Sequence, residues 1–262
     1  MNIDTPGRRA VGRRAVVCGI ASAAPLATIL ADARLARAEA AALKSVSITT
    51  RSRRAITAAL ALPVRTPAPG VLLIHEWWGL NDQIKAVAGE LAREGYVALA
   101  VDLYGGRVAT TPDAAKPLMQ AIDPLQATET LVAWADWLRD NPKTSAKIAT
   151  IGWCLGGGWS LNASLATPVD ATVIYYGQVD QPAERLARLN GPVLGHFATR
   201  DTWITKTMVD TFEAEMRQAD RPLTVYWYEA DHAFANPSGA RYDQKDAQLA
   251  WERTQHFFRT NL

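Results

Sequence analysis

The sequence predicts an α/β fold, with a mainly parallel, twisted sheet, helices on both faces and a short N-terminal β-pair. Short, continuous apolar runs recur along the chain, which is typical of strands buried on both faces. Segments with helical spacing of apolar residues fill the intervals between these runs. The chain has 262 residues, 48% of them hydrophobic. This is enough for one large core, so a single domain is expected over residues 43–262.

The strands are expected to begin with a β-pair, Ser45–Thr50 and Ala55–Leu62, which ends at Pro63. A turn at residues 67–70 then leads into the apolar run Val71–His75. Five more buried runs predict strands at Tyr96–Val101, Lys147–Ile151, Ala171–Tyr176, Pro192–Ala198 and Leu223–Tyr228.

Helices are expected between these strands. The first begins after Asn81, whose side chain can accept a hydrogen bond from the first turn, and it stops at Gly95. Because strands alternate with helices, the sheet should be mainly parallel, with ligands bound at the carboxyl ends of its strands. Four further helical patterns lie at about Asp123–Asp140, Gly156–Ala166, Thr205–Ala219 and Tyr242–Thr260.

The first 38 residues have the pattern of an export signal. Arg13 and Arg14 precede a weakly apolar stretch from Ala15 to Leu30, and Ala36-Arg37-Ala38 fits an Ala-x-Ala cleavage site. The segment resembles a twin-arginine signal, so export to the bacterial periplasm by the twin-arginine machinery is expected. The apolar stretch is too short for a stable membrane span. The alternative is a disordered basic tail on a cytoplasmic protein.

Charge and cysteine content exclude several classes of protein. The formal net charge is +2, but six arginines and two aspartates in the first 38 residues leave about −2 on the rest, so nucleic acid is not an expected partner. Of the two cysteines, Cys18 and Cys154, only the second remains after signal removal, and no internal disulfide can form. No cofactor is expected, and no group of potential ligands has the spacing of a metal site.

Cys154 stands in the most informative motif of the chain. The segment Gly152-Trp153-Cys154-Leu155-Gly156 follows an apolar strand and precedes a helical pattern, which is typical of the Gly-x-nucleophile-x-Gly turn. Small residues are required because this turn brings backbone segments very close together. A helix N-terminus favours an anion, so the pKa of the thiol is expected to lie below its usual value of about 8.5.

A base and an orienting acid follow the nucleophile in the chain order that hydrolytic triads on α/β sheets use. Asp201 lies in the loop after the strand predicted at Pro192–Ala198. His232 lies in the loop after the strand predicted at Leu223–Tyr228. Both loops leave the carboxyl ends of their strands, so we predict a catalytic triad of Cys154, Asp201 and His232.

Further motifs accompany the triad: His75-Glu76-Trp77-Trp78-Gly79-Leu80-Asn81, Asp102-Leu103-Tyr104-Gly105-Gly106-Arg107 and Asp231-His232-Ala233-Phe234. With the cysteine turn, they resemble the dienelactone hydrolase (carboxymethylenebutenolidase-like) family of the α/β-hydrolase superfamily from Val71 to the C-terminus. The resemblance implies a hydrolase that cleaves ester or lactone bonds of a small molecule through a thioester intermediate. It also implies that Glu76 lies near the thiol and takes part in switching it to a thiolate. The alternative is that Glu76 caps the loop after its strand.

The remaining site residues are expected around the nucleophile. Acyl transfer places negative charge on the carbonyl oxygen, and the expected donors to it are the backbone N–H groups of Leu155 and Trp77. Arg107 suits an anion or a solvated surface, and the tryptophans suit an acyl pocket or the core. Four side chains are candidate substrate contacts: Tyr104, Arg107, Trp78 and Trp153.

The chain departs from the family where a substrate carboxylate would bind. In members that act on dienelactone, two arginines hold that carboxylate. Here Asn236 occupies one of the two positions, and Gly106 occupies the other when the loop is aligned without a gap. An asparagine supplies no charge, so ester cleavage is expected without implying dienelactone as the substrate.

Two other classes of protein remain open at this point. One is an exported, non-enzymatic protein that binds a small ligand or responds to oxidants through Cys154. The other is a peptidase or acyltransferase on the same scaffold, which would need an additional binding element that the sequence does not contain.

Overall fold

The computed structural model describes Met1 and residues 32–262. Within this range the backbone forms one eight-stranded sheet. The strands are β1 (Lys44–Thr49), β2 (Ala55–Ala61), β3 (Ala68–Ile74), β4 (Val97–Val101), β5 (Thr144–Trp153), β6 (Ala171–Tyr175), β7 (Val193–Ala198) and β8 (Leu223–Tyr228).

Eight helices lie in the described range. They are α1 (Ala33–Ala42), α2 (Asp82–Arg93), α3 (Pro112–Gln120), α4 (Pro124–Asp140), α5 (Leu155–Ala166), α6 (Ala183–Leu186), α7 (Lys206–Gln218) and α8 (Gln244–Asn261). None of these helices is long and apolar enough to cross a membrane.

The strands lie in the order β1-β2-β4-β3-β5-β6-β7-β8. β2 pairs antiparallel with both β1 and β4. All pairs from β4 through β3 to β8 are parallel. The expected mainly parallel sheet with a β-pair at its N-terminal end is therefore confirmed.

Helices cover both faces of the sheet because β3 is apolar on both sides. Val71 and Leu73 belong to a buried cluster that includes residues of α2 and α8. Leu72 and Ile74 point the other way and belong to a cluster that includes residues of α4. All four are fully buried, which explains why the run is continuously apolar rather than alternating.

The first predicted helix has the expected ends. Asn81 accepts a hydrogen bond from the backbone N–H of Ile84 at 3.1 Å, which satisfies a donor of the first turn. Gly95 follows the helix with φ of +101°, a left-handed conformation that glycine adopts without a steric penalty.

Helix α1 overlaps the predicted export signal. Ala36 in this helix is buried, and the helix packs against α2. Glu39 accepts a hydrogen bond from Arg93 at 2.6 Å, and Arg37 lies 3.8 Å from Asp82. The predicted cleavage motif at residues 36–38 thus lies within α1, whereas the rest of the predicted signal, apart from Met1 and residues 32–35, falls outside the described residues.

Candidate active site

Cys154 lies at the junction of β5 and α5 in an unusual backbone conformation. Its φ is +53° and its ψ is −116°, a combination that costs a non-glycine residue free energy and is typical of functional turns. The backbone N–H of Cys154 donates to the carbonyl of Tyr175 at 3.0 Å, and the N–H of Gly157 donates to the carbonyl of Cys154 at 3.0 Å. The turn is therefore held from β6 on one side and from its own helix on the other.

The glycines of the motif are required by close backbone contacts. A Cβ on Gly152 would collide with the carbonyl of Gly156, and a Cβ on Gly156 would collide with the carbonyls of Ile74 and His75 at the end of β3. The sequence-based explanation for small residues is confirmed. The same contacts bring the start of α5 directly against the end of β3.

His232 and Asp201 form a buried hydrogen-bonded pair. Nδ1 of His232 lies 2.6 Å from Oδ2 of Asp201, so Nδ1 carries the proton and Nε2 is left to act as a base. The other oxygen of Asp201 accepts the backbone N–H groups of Trp203 and Ile204 at 2.8 and 3.0 Å. Burial raises the pKa of Asp201, but these hydrogen bonds outweigh burial and hold the pKa below its usual value.

Two aromatic rings flank His232, and neither was among the predicted site residues. The ring of Tyr176 lies 5.1 Å from the imidazole, and the ring of Trp203 meets it edge-on at 4.8 Å. Trp203 is 59% exposed, and the guanidinium of Arg241 lies 5.0 Å from its ring. Trp203 therefore forms an aromatic rim beside the base, in the same loop as Asp201.

Glu76 is buried between side chains from two distant loops. Its Oε1 accepts the hydroxyl of Tyr176 at 3.3 Å, and its Oε2 accepts Nδ2 of Asn236 at 2.5 Å. Burial raises the pKa of Glu76 to about 7, against the opposing effect of these two hydrogen bonds. Both hydrogen-bond partners of the Glu76 carboxylate are side chains from other loops. These contacts do not match the alternative, in which Glu76 caps the loop after its own strand.

The pKa of the Cys154 thiol differs from the sequence-based expectation. Burial raises it to about 12, and the charges of Glu76 and Asp201 add to this effect. The backbone N–H groups of Leu155 and Trp77 act in the opposite direction, since both donate toward the sulfur. The expectation of a lowered pKa at the helix N-terminus was wrong because desolvation and the nearby carboxylates outweigh the helix end.

His75 connects the two loops that follow β3 and β4. Its Nε2 accepts the backbone N–H of Leu103 at 3.1 Å, so its Nδ1 carries the proton and donates to the carbonyl of Glu76 at 2.5 Å. That carbonyl belongs to the same peptide unit as the N–H of Trp77. Burial lowers the pKa of His75, which keeps the ring neutral and able to accept from Leu103.

The candidate substrate contacts occupy different environments. Tyr104 is buried, and its hydroxyl donates to the carbonyl of Trp77 at 3.1 Å. Arg107 is exposed and donates through Nε to the carbonyl of Tyr104 at 3.0 Å. Trp78 is half-buried with its ring 4.8 Å from that of Trp77. Trp153 is buried in the core against Tyr175, with the ring centres 5.5 Å apart.

Comparisons with known proteins agree with this fold. The model of the dienelactone hydrolase family matches residues 56–262. A protein from Saccharolobus solfataricus is 32% identical over 242 residues, covering 78% of this chain and 93% of the relative. A carboxymethylenebutenolidase from Pseudomonas putida is 28% identical over 225 residues, covering 82% of this chain and 95% of the relative. The solved structure of m3DLH matches with a TM-score of 0.76 at 26% identity, covering 84% of this chain and 99% of that one. The chain therefore belongs to the dienelactone hydrolase family of α/β-hydrolases, and it is a hydrolase of ester or lactone bonds.

Proposed function

We propose that this hydrolase uses Cys154 as its nucleophile and cleaves a small-molecule ester or lactone through a thioester acyl-enzyme. The observation that carries the proposal is the placement of four side chains just after the carboxyl ends of parallel strands of one sheet. Cys154 follows β5, and the hydrogen-bonded pair of Asp201 and His232 follows β7 and β8. Glu76 follows β3, and its charge acts on the thiol.

In the resting enzyme the thiol is protonated, because burial and the neighbouring carboxylates raise its pKa to about 12. A protonated thiol resists oxidation better than a thiolate does. Glu76, whose pKa is raised to about 7, is the proposed acceptor of the thiol proton when substrate binds. A carboxyl group with a pKa near neutrality can accept and return a proton at working pH.

The sulfur then attacks the carbonyl carbon, and the C–S bond forms as the carbonyl electrons move to oxygen. The backbone N–H groups of Leu155 and Trp77, which donate toward the sulfur in the resting state, are positioned to donate to this oxyanion. Collapse of the tetrahedral intermediate breaks the C–O bond of the ester, the leaving oxygen takes up the proton that Glu76 had accepted, and a thioester remains. Stabilisation of the oxyanion by such donors contributes about 3 kcal/mol per donor.

Hydrolysis of the thioester uses the remaining pair. His232, with its Nδ1 proton held by Asp201 at 2.6 Å, takes a proton from water through Nε2 as the water attacks the thioester carbonyl. The C–S bond breaks, the imidazolium of His232 gives its proton to the departing sulfur, and the acid product dissociates from the restored thiol. The rings of Trp203 and Tyr176 next to the imidazole limit the directions from which the substrate can approach.

A panel of p-nitrophenyl esters and enol-lactones tests this mechanism on the wild type, Cys154→Ala and Cys154→Ser. We expect Cys154→Ala to lower kcat/KM by roughly 10³-fold or more, because no other group can form the acyl-enzyme. Cys154→Ser should recover little or none of this loss. Cys18→Ala is the matched control for loss of a cysteine and should retain full activity. Equal activity in all variants would reject the thiol mechanism.

We also propose that the protein is exported to the periplasm. The support is the pattern of the N-terminal segment, with Arg13 and Arg14 before a weakly apolar stretch and an Ala-x-Ala motif at residues 36–38.

A further inference from the structure

Asn236 is fixed in one orientation by contacts on both sides of its amide. Its Oδ1 accepts the backbone N–H of Ser238 at 2.9 Å, so Nδ2 must face the other way, toward Oε2 of Glu76 at 2.5 Å. The backbone N–H of Asn236 donates to the carbonyl of Ala233 at 2.9 Å. Since the side chain is only 4% exposed, this turn places a neutral amide inside the site, four residues after His232.

The Glu76 carboxyl is surrounded by uncharged partners. Asn236 donates to it from the loop after β8, and Tyr176 donates to it from the loop after β6. The thiol of Cys154 lies close enough to feel the charge of Glu76, and the carboxylate of Asp201 adds further negative charge at that thiol. Glu76 takes part in no ion pair formed by the residues that the structure describes.

Three arginines in the loops after β4, β7 and β8 are exposed. Arg107 is exposed and donates to the carbonyl of Tyr104, and Arg241 is exposed beside Trp203. Arg200 is also exposed and lies 3.5 Å from Asp231. Water screens such exposed charges, so they neutralise the buried carboxyl groups only weakly.

We propose that Asn236 is a positioning residue for Glu76, and that the acyl group of the substrate is uncharged where it meets this pair. This inference rests on the proposed function. A substrate carboxylate about 5 Å from the ionised carboxylate of Glu76 would be repelled by it. At an effective dielectric constant of about 20, this repulsion would lower kcat/KM roughly 100-fold. An uncharged acyl group avoids this repulsion and leaves the contact between Asn236 and Glu76 intact.

The wild-type enzyme tests the charge preference without any substitution. The probes are p-nitrophenyl hydrogen adipate, whose acyl chain ends in a carboxylate, and the methyl ester of that acid, which caps the charge. At pH 8, where Glu76 is ionised, we expect kcat/KM to be roughly 100-fold higher for the capped ester. The ratio should shrink at pH 6 as Glu76 takes up a proton. A ratio below about 20 at pH 8 overturns the proposed substrate class.

Substitution of Asn236 tests its positioning role. Asn236→Leu removes the hydrogen bond that lowers the pKa of Glu76, so the acid limb of the kcat/KM profile for the capped ester should move up by about one pH unit. Asn236→Arg places a cation beside Glu76 and should raise kcat/KM for the charged ester at least tenfold. Ser238→Ala, an exposed neighbour, is the control and should change neither value. If the acid limb does not move in a folded Asn236→Leu variant, the positioning role is overturned. If the variants do not fold, the ratio of kcat/KM between the capped and the charged ester on the wild type decides the inference.

Turnover by Cys154→Ala and by the wild type distinguishes a wrong charge preference from a wrong nucleophile. If Cys154→Ala abolishes turnover while the wild type cleaves both esters equally well, the thiol mechanism stands and the charge preference is wrong. If neither ester is cleaved through Cys154, the proposed function and the inference built on it both fail.

Discussion

At the scale of single residues, the chemistry of the site depends on how burial changes two acidic groups. Burial raises the pKa of Glu76 to about 7 and that of Cys154 to about 12. Asp201, in contrast, keeps a pKa below its usual value because three donors satisfy its carboxylate. One site therefore holds a carboxylate that stays ionised and a second that exchanges a proton near neutrality, which allows different roles for two chemically similar groups.

The raised pKa of Glu76 predicts a specific dependence of stability on pH. A group whose pKa is higher in the folded state contributes stability below its unfolded pKa, here about 4.5, and this contribution is lost as pH rises through about 7. Glu76→Gln removes that dependence on pH. The difference between the free energies of unfolding of the wild type and of this variant should therefore fall by about 3 kcal/mol between pH 4.5 and pH 8. Urea unfolding at several pH values measures the difference. Glu229→Gln, at an exposed carboxyl, controls for the loss of a charge, and a difference for Glu76→Gln that stays constant with pH would contradict the prediction.

The sequence allows candidate site residues to be named, but not their contacts. Cys154, Asp201 and His232 were predicted because a local motif and the chain order point to them, and in the structure Nδ1 of His232 lies 2.6 Å from Oδ2 of Asp201. Tyr176 and Asn236, the partners of Glu76, lie 100 and 160 positions away from it. No local pattern encodes contacts at such separations, so both were missed as partners, and the raised pKa of the thiol was missed with them.

At the scale of elements, the predictions were accurate where burial made the pattern continuous. β8 has the expected bounds, Leu223–Tyr228, whereas β5 extends from Thr144 rather than Lys147 because Ser145 and Ala146 are exposed and form no apolar run. Helix α3 (Pro112–Gln120) was not predicted, since it contains Pro117 and buries only Ala115. Short helices with little buried surface have too weak a periodic signal to be found from sequence.

The contact between α5 and β3 predicts the effect of a single methyl group. In Gly156→Ala, the new Cβ would collide with the carbonyls of Ile74 and His75, which would push the start of α5 away from the loop that carries Trp77. We expect a loss of about 1–3 kcal/mol in stability and a roughly 100-fold fall in kcat/KM, because the thiol moves relative to the oxyanion donors. Thermal unfolding and ester hydrolysis measure the two effects.

Gly158→Ala is the matched control for that substitution. It lies in the same helix, but its Cβ would come no closer than 3.2 Å to Cβ of Gln178 and 3.3 Å to the carbonyl oxygen of Gln178, whereas a Cβ on Gly156 would collide with the carbonyl oxygen of Ile74. The control should retain most of its stability and activity. If Gly156→Ala behaves like Gly158→Ala, the tight junction between α5 and β3 is not required for catalysis.

At the scale of the whole molecule, the strand order explains why the site assembles. β3 lies between β4 and β5, so the loop after β3 meets the turn after β5 that carries Cys154. The alternation of strands and helices predicts a parallel sheet with its site at the carboxyl edge, and the described residues agree. The order of the strands depends on long-range packing, so the adjacency of Glu76 and Cys154 came from the family resemblance rather than from periodicity.

The N-terminal segment provides the last prediction. Cleavage after Ala38 would remove buried Ala36 and the contact between Arg37 and Asp82. The side chains of Arg37 and Asp82 are 81% and 45% exposed, so this ion pair contributes about 1 kcal/mol or less to stability. The hydrogen bond of Glu39 with Arg93 would remain. A chain that begins at Glu39 should therefore fold with a Tm within about 4 °C of the full chain and with unchanged kcat/KM.

Mass spectrometry of the periplasmic fraction of an expressing bacterium should find an N-terminus near Glu39, and replacement of Arg13 and Arg14 by lysine should retain the protein in the cytoplasm. An intact N-terminus found only in the cytoplasm would reject export, while a trimmed chain that fails to fold would show that α1 belongs to the domain.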